Sequence, residues 1–202
     1  MLGPQFGDIP QELVYMQSVT MLRIQGYKEP DRAPRAVVEV AERMAARARE
    51  LSIPTIQYRM VPLPHVGNCK LIDGGTLISP GAEVEKVLSR SVALGPQFDE
   101  ETDRLRSRGD MVEALFLETA GWMGLEGATK RFTVRFREHI RVQGYTLTRR
   151  LAPGYGTWPL SGQRDLFAMF GTSALPVRLL DSCLMIPKMS RSGLFGLMQL
   201  SG

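Results

Sequence analysis

The longest helical pattern in this chain of 202 residues runs from Asp110 to Arg141, and it constrains the fold more than any other segment. Propensity alone does not hold a helix in water, so one face must be buried. Met111, Leu115, Ala120 and Trp122 seed that face. Gly121, Gly124 and Gly127 recur every third residue, and each costs about 1 kcal/mol against alanine in a helix. Close approach of another backbone, or a break, is what such a series would serve. Arg131 to Arg141 continues as a basic amphipathic stretch.

Other elements follow from period and punctuation. Glu12 to Met21 fits helix or strand equally well. After a turn at Gly26 to Pro30, Asp31 is the expected N-cap, with Pro34 in the first turn of a helix reaching about Leu51. Val37, Val40, Ala41, Met44, Ala45 and Ala48 recur at helical spacing. Pro54 to Val61 alternates as a strand, with Ile56, Tyr58 and Met60 on one side, and Pro62 and Pro64 end it. Asp73-Gly74-Gly75 predicts a hairpin between Cys69–Ile72 and Thr76–Ile78. Gly81 to Leu88 reads as a short helix and Ser91 to Leu94 as a short buried strand, and Gly95-Pro96 opens a helix ending near Gly109. Short strands are expected near Val177–Leu180 and Leu184–Ile186, then at Leu194–Leu200. The sum is an α+β fold: one domain over 1–202, with 1–12 a loose Gly-, Pro- and Gln-rich arm, and a bent, mostly antiparallel sheet surrounded by helices.

The net charge of +4, with many charges of both signs, does not argue for nucleic acid. An anionic ligand or an acidic partner surface fits as well. Cys69 and Cys183 are far apart without a Cys-x-x-Cys pair, and His65 and His139 are isolated. No metal site or disulfide scaffold is expected, and a reducing cytoplasm is the default compartment. No apolar run approaches the roughly 20 residues of a membrane span, and the N-terminus has no export pattern. Gly124 to Lys130 has a phosphate-loop flavour but lacks Gly-Lys-Ser/Thr spacing and a preceding strand.

Ligand chemistry concentrates in Arg150-Leu151-Ala152-Pro153-Gly154-Tyr155-Gly156-Thr157-Trp158-Pro159-Leu160. This loop joins a basic strand-like segment, Tyr145 to Arg150, to a helix-like one, Ser161 to Phe170. An arginine offers a planar fork to a carboxylate. Glycine admits a ligand to the backbone while Pro153 fixes φ beside it. Tyr155 adds a ring face that attracts a cation. A small zwitterion carrying an extra positive charge satisfies all three. Trp158 reads as a wall of the core. Ser190 to Gly193 reads as a hairpin turn on its own residues.

Arg-x-x-Pro-Gly-Tyr followed by Trp-Pro-Leu resembles the S-adenosylmethionine-binding loop of the activation (reactivation) domain of cobalamin-dependent methionine synthase. Met185-Ile186-Pro187 through Ser190-Arg191-Ser192-Gly193 is similar to that family's Met-x-Pro…Ser-x-Ser-Gly segment. Val92 to Gly95, followed by Gly109-Asp110-Met111, is similar to a region of its short members, so the resemblance spans roughly residues 20 to 198. It implies that Arg150 binds the methionine carboxylate and that the backbone at Ala152, Gly154 and Tyr155 holds the adenosyl part. It also implies that Ser192 lies beside the ligand, with Phe195 near the sulfonium. Arg191 departs from the family's small apolar residue, and Met189 from a common lysine. The acid that reaches the site from the preceding helix is unmatched, Glu126 and Glu138 being the loose candidates.

Such a domain presents S-adenosylmethionine to a cob(I)alamin. This sequence carries no Asp-x-His-x-x-Gly segment, so cobalamin would come from a partner corrinoid protein, with a flavodoxin-like reductant. The alternative is a stand-alone enzyme that converts S-adenosylmethionine to 1-aminocyclopropane-1-carboxylate and methylthioadenosine, with Tyr155 as the catalytic base. The residues leave enzyme and presenting domain both open, and neither nucleic acid nor membrane is an expected partner.

Overall fold

The computed structural model describes residues 16–62, 84–156, 158–171 and 175–200. Its helices are α1 (Ser18–Ile24), α2 (Arg35–Leu51), α3 (Gln97–Ser107), α4 (Met111–Arg141) and α5 (Gln163–Ala168). Its strands are β1 (Thr55–Pro62), β2 (Val84–Ala93), β3 (Tyr145–Leu147), β4 (Arg178–Leu179), β5 (Met185–Ile186) and β6 (Ser190–Gln199). The fold is α+β. A curled antiparallel sheet in the order β1-β2-β6-β3 is flanked by helices, and β4 and β5 form a separate ribbon. The hairpin predicted over Cys69–Ile78 and the N-terminal arm lie outside the described residues.

The 31 residues of α4 make one unbroken helix about 46 Å long. Its first half buries Ala114, Leu117, Leu125 and Ala128 in a core shared with α1, α2 and α3. Its second half lays Phe132, Phe136 and Ile140 against Leu147, Phe195 and Leu197 of the sheet. Phe132 and Phe136 stack at 5.5 Å, and Tyr58 of β1 meets Phe136 edge-on at 5.2 Å, an arrangement suited to ring quadrupoles. The face expected from sequence is corrected here: Met111, Leu115 and Trp122 are each about half exposed. Small residues, among them Ala120, Gly121 and Gly124, are interspersed with Phe116, Leu117 and Leu125 on the buried face and let neighbouring elements pack close. Gly121 shows this directly. A Cβ there would stand 2.9 Å from the Phe98 ring and 3.0 Å from Met189 Sδ. The glycine admits two side chains, not a second backbone, and the helix does not break.

Two boundaries also differ from expectation. Asp31 lies in a short 3-10 turn, Pro30–Arg32, and Pro34 takes the N-cap position of α2. Ala33 is extended, as the residue before a proline prefers to be, and this delays the helix. From Val84 onward the predicted short helix is strand, since β2 pairs with β1 on one edge and with β6 on the other. Two ladders outweigh a local preference. The predicted α2 face holds: Ala41, Met44, Ala45 and Ala48 are buried, with Val37 and Val40 packed beside them.

Candidate functional site

Strand β6 carries the site because its far edge changes partner. Tyr145 to Leu147 pair with Gln199 to Leu197, and Thr148 continues that register by donating its N–H to Gly196 O at 2.9 Å. The Thr148 hydroxyl in turn accepts the Gly196 N–H at 2.9 Å. Leu151 and Leu194 then exchange both backbone hydrogen bonds, at 2.9 and 2.8 Å. Three steps along this segment, Thr148 to Leu151, thus match two along β6, Gly196 to Leu194. The extra residue is a β-bulge at Arg149–Arg150, a device that re-aims a side chain. Arg149 stays exposed, while Arg150 is turned over β6 and half-buried.

Arg150 passes where Gly193 has no side chain. A Cβ on Gly193 would lie 3.1 Å from Arg150 Cγ and 3.2 Å from its Cδ. Beyond that cleft, Arg150 Nη1 donates to the Ser192 carbonyl at 2.9 Å. The guanidinium carbon lies 5.8 Å from the Tyr155 ring centroid, within cation–π range. Burial pushes the Arg150 pKa down from its ordinary value, and Tyr155 opposes the shift. Arginine stays charged regardless. One donor is used on Ser192 and the ring holds one face, so the guanidinium is fixed before any ligand arrives. Fixing it in advance lowers the entropy lost on binding.

The loop that follows is held by its own backbone. Gly154 donates to Trp158 O at 2.9 Å, and Trp158 donates to Tyr155 O at 3.2 Å. Gly154 at φ +87° sits in the left-handed region, which the tight turn requires. Trp158 is buried against Gly162, whose hydrogen leaves room for the indole. Ala152 is buried and Tyr155 is 66% exposed, so the tyrosine is the outward wall.

The predicted residues do not all share one face of β6. Ser192 points away from Arg150, and its hydroxyl donates to Gln163 Oε1 of α5 at 3.0 Å. What Ser192 offers the arginine is its carbonyl. Phe195 is on the Gly193 face but enclosed in the aromatic cluster beneath α4. Arg191 lies on that face too, and its guanidinium forms an ion pair with Glu126 of α4. Burial pushes the Arg191 pKa down. Met189, the other departure, lies on Gly121. Sequence reasoning missed Gln163, the Leu151–Leu194 bridge and the Gly193 cleft. Opposite charges at Arg191 and Glu126 were the available signal for their pairing.

The fold defines a class: an α+β protein whose long helix lies along a curled antiparallel sheet, with an arginine-bearing bulge on the strand beneath. The chain is similar in structure to the MetH reactivation domain, whose crystal structure was determined bound to AdoHcy. The TM-score is 0.62 at 14% identity, over 100% of this chain and 80% of that one. This is a likeness of fold. No protein-family model and no curated protein sequence matches the chain. Among the described residues, no helix is long and apolar enough to cross a membrane.

Proposed function

We propose that this chain binds S-adenosylmethionine at the loop from Arg150 to Tyr155 and presents its methyl group to a cob(I)alamin carried by a partner protein. The observation that carries this reading is the fixed Arg150 guanidinium over Gly193, in a fold shared with a domain seen with AdoHcy. AdoHcy is S-adenosylmethionine without its transferable methyl. Arg150 would take the ligand carboxylate, a charge-assisted pairing with geometric specificity. The backbone at Ala152 and Gly154 would hold the adenosyl part, and Tyr155 would close the solvent side. Ser192 serves through its carbonyl and Phe195 as the wall behind the site. The methyl would pass from the sulfonium to the reduced cobalt, leaving S-adenosylhomocysteine, and a flavodoxin-like protein would supply the electron that reduces an oxidised corrinoid. The sulfonium is already activated, so positioning is the protein's contribution.

A second reading has one observation in its favour: the Tyr155 ring lies against Arg150. Its hydroxyl would then be near the α-carbon of a carboxylate held there. As the phenolate, it would take the α-proton, and the freed electron pair would close on the γ-carbon. The γ-carbon–sulfur bond would break, releasing methylthioadenosine and 1-aminocyclopropane-1-carboxylate. Both readings require binding first. Calorimetry on metal-stripped protein should show one S-adenosylmethionine per chain, and no heat at millimolar ligand would overturn both.

A further inference from the structure

Positions 191, 193, 195 and 197 share one face of β6, since side chains alternate along a strand. On that face α4 runs in the same direction as the strand: Glu126 meets Arg191, and Phe132, Phe136 and Ile140 reach Phe195 and Leu197. The Arg150 stem fills the place left by Gly193. Arg191 therefore lies two positions, about 6.6 Å along β6, before Gly193, over which the Arg150 stem passes. One guanidinium is held by a backbone carbonyl and a ring, the other by a carboxylate. The three groups sum to one positive charge.

The Arg191 side chain is only 22% exposed, whereas the Glu126 side chain is 47% exposed. Glu126 thus keeps an open side toward solvent, but its charge is already answered. Phe195 is enclosed, so a ligand whose carboxylate sits on Arg150 and whose chain runs along β6 toward Arg191 would place its positive centre beside this spent carboxylate. We propose that Arg191 is a charge-selectivity residue of the site: by engaging Glu126 it removes the advantage that a sulfonium would have over a neutral thioether. This rests on the binding reading above and adds to it a reason for the arginine in the Ser-Arg-Ser segment. The consequence is a protein that holds S-adenosylmethionine and S-adenosylhomocysteine with similar affinity.

The test is a pair of dissociation constants, for S-adenosylmethionine and for S-adenosylhomocysteine, measured by calorimetry on the wild type and on Arg191→Met, Arg191→Lys and Glu126→Gln. Thermal unfolding identifies which variants are folded. Wild type and Arg191→Lys should bind the two ligands within about threefold of each other. Arg191→Met should tighten S-adenosylmethionine about three- to tenfold and leave S-adenosylhomocysteine within about twofold, the scale of one charge at a partly exposed site. That gain should shrink as salt is added. Glu126→Gln should shift the ratio toward S-adenosylhomocysteine, and it carries the test if Arg191→Met does not fold. Binding of both ligands with an unchanged ratio in folded Arg191→Met or Glu126→Gln overturns the assignment of Arg191 alone. Failure of the wild type to bind either ligand overturns the binding reading, and this inference with it.

Discussion

One inserted residue decides which of two neighbouring arginines turns over β6. Arg149 and Arg150 are adjacent and chemically identical, yet the bulge leaves the first in solvent and turns the second over Gly193. Arg150→Ala should weaken S-adenosylmethionine binding by about 1.5–3 kcal/mol, the scale of a hydrogen bond to a charged group. Arg149→Ala should change it by less than about 0.5 kcal/mol, as for other exposed positions. Equal effects in calorimetry would mean that both arginines, or neither, reach the ligand. The spacing of the Pro-Gly-Tyr loop, through its resemblance, prefers Arg150 as the ligand's partner, and the structure shows which of the two arginines is half-buried. The bulge was not legible in the sequence, because its cause is the pairing with Leu194 and Gly196, more than forty residues downstream. Ser192 was placed beside the ligand by resemblance. The alternation of β6 turns its hydroxyl to Gln163, and only the strand's register shows that its carbonyl is what faces the arginine.

Elements were legible where one local pattern decided them and illegible where partners did. The α2 face, the β1 strand and the extent of α4 follow from period and from Pro and Gly punctuation. The N-terminal half of β2 does not, since its extended form is set by ladders on both sides. The buried face of α4 does not either: the sequence offers large apolar residues on two sides, and packing selects the one where they are interspersed with glycine and alanine. The loop depends on α5 through a single glycine. Gly162→Ala would drive a Cβ into the Trp158 indole, which is buried. The variant should lose about 1–3 kcal/mol of stability by overpacking and bind S-adenosylmethionine more weakly, since Trp158 ties down the turn at Gly154. Unfolding and calorimetry on the same sample would check both. On the helical side, Glu101 of α3 accepts from Arg104 at 2.7 and 2.8 Å and from Arg47 of α2 at 3.3 Å. Its pKa is lowered from 4.5 to about 2, with the Arg104 hydrogen bonds the largest cause. A carboxyl depressed on folding stabilises above its unfolded value and loses that contribution as pH falls toward the folded one. The loss should occupy the interval from about pH 4.5 down to 2. Glu101→Gln should flatten that part of the acid-unfolding curve and cost about 1–2 kcal/mol at neutral pH, discounted for the half-exposed arginines.

At the scale of the molecule, helices and sheet divide the work. The helical core gives α4 a rigid base, and the second half of that helix clamps β6 from one side while α5 engages Ser192 from the other. The proposed site is the rim of that clamp, with Tyr155 outward. An open rim suits delivery of a methyl group to a second protein, because the acceptor must approach the sulfonium directly. It suits internal proton abstraction less well, because water would compete at a tyrosine that is two-thirds exposed. The difference has a direct readout. Pure protein incubated with S-adenosylmethionine should leave it intact for hours, with methylthioadenosine at the spontaneous background by chromatography. A presenting domain has no reaction to perform until a reduced corrinoid arrives. Turnover above background, slowed by Tyr155→Phe, would overturn the presenting role and establish the cyclising enzyme in its place. Turnover unaffected by that substitution would overturn the presenting role and the assignment of Tyr155 as base together.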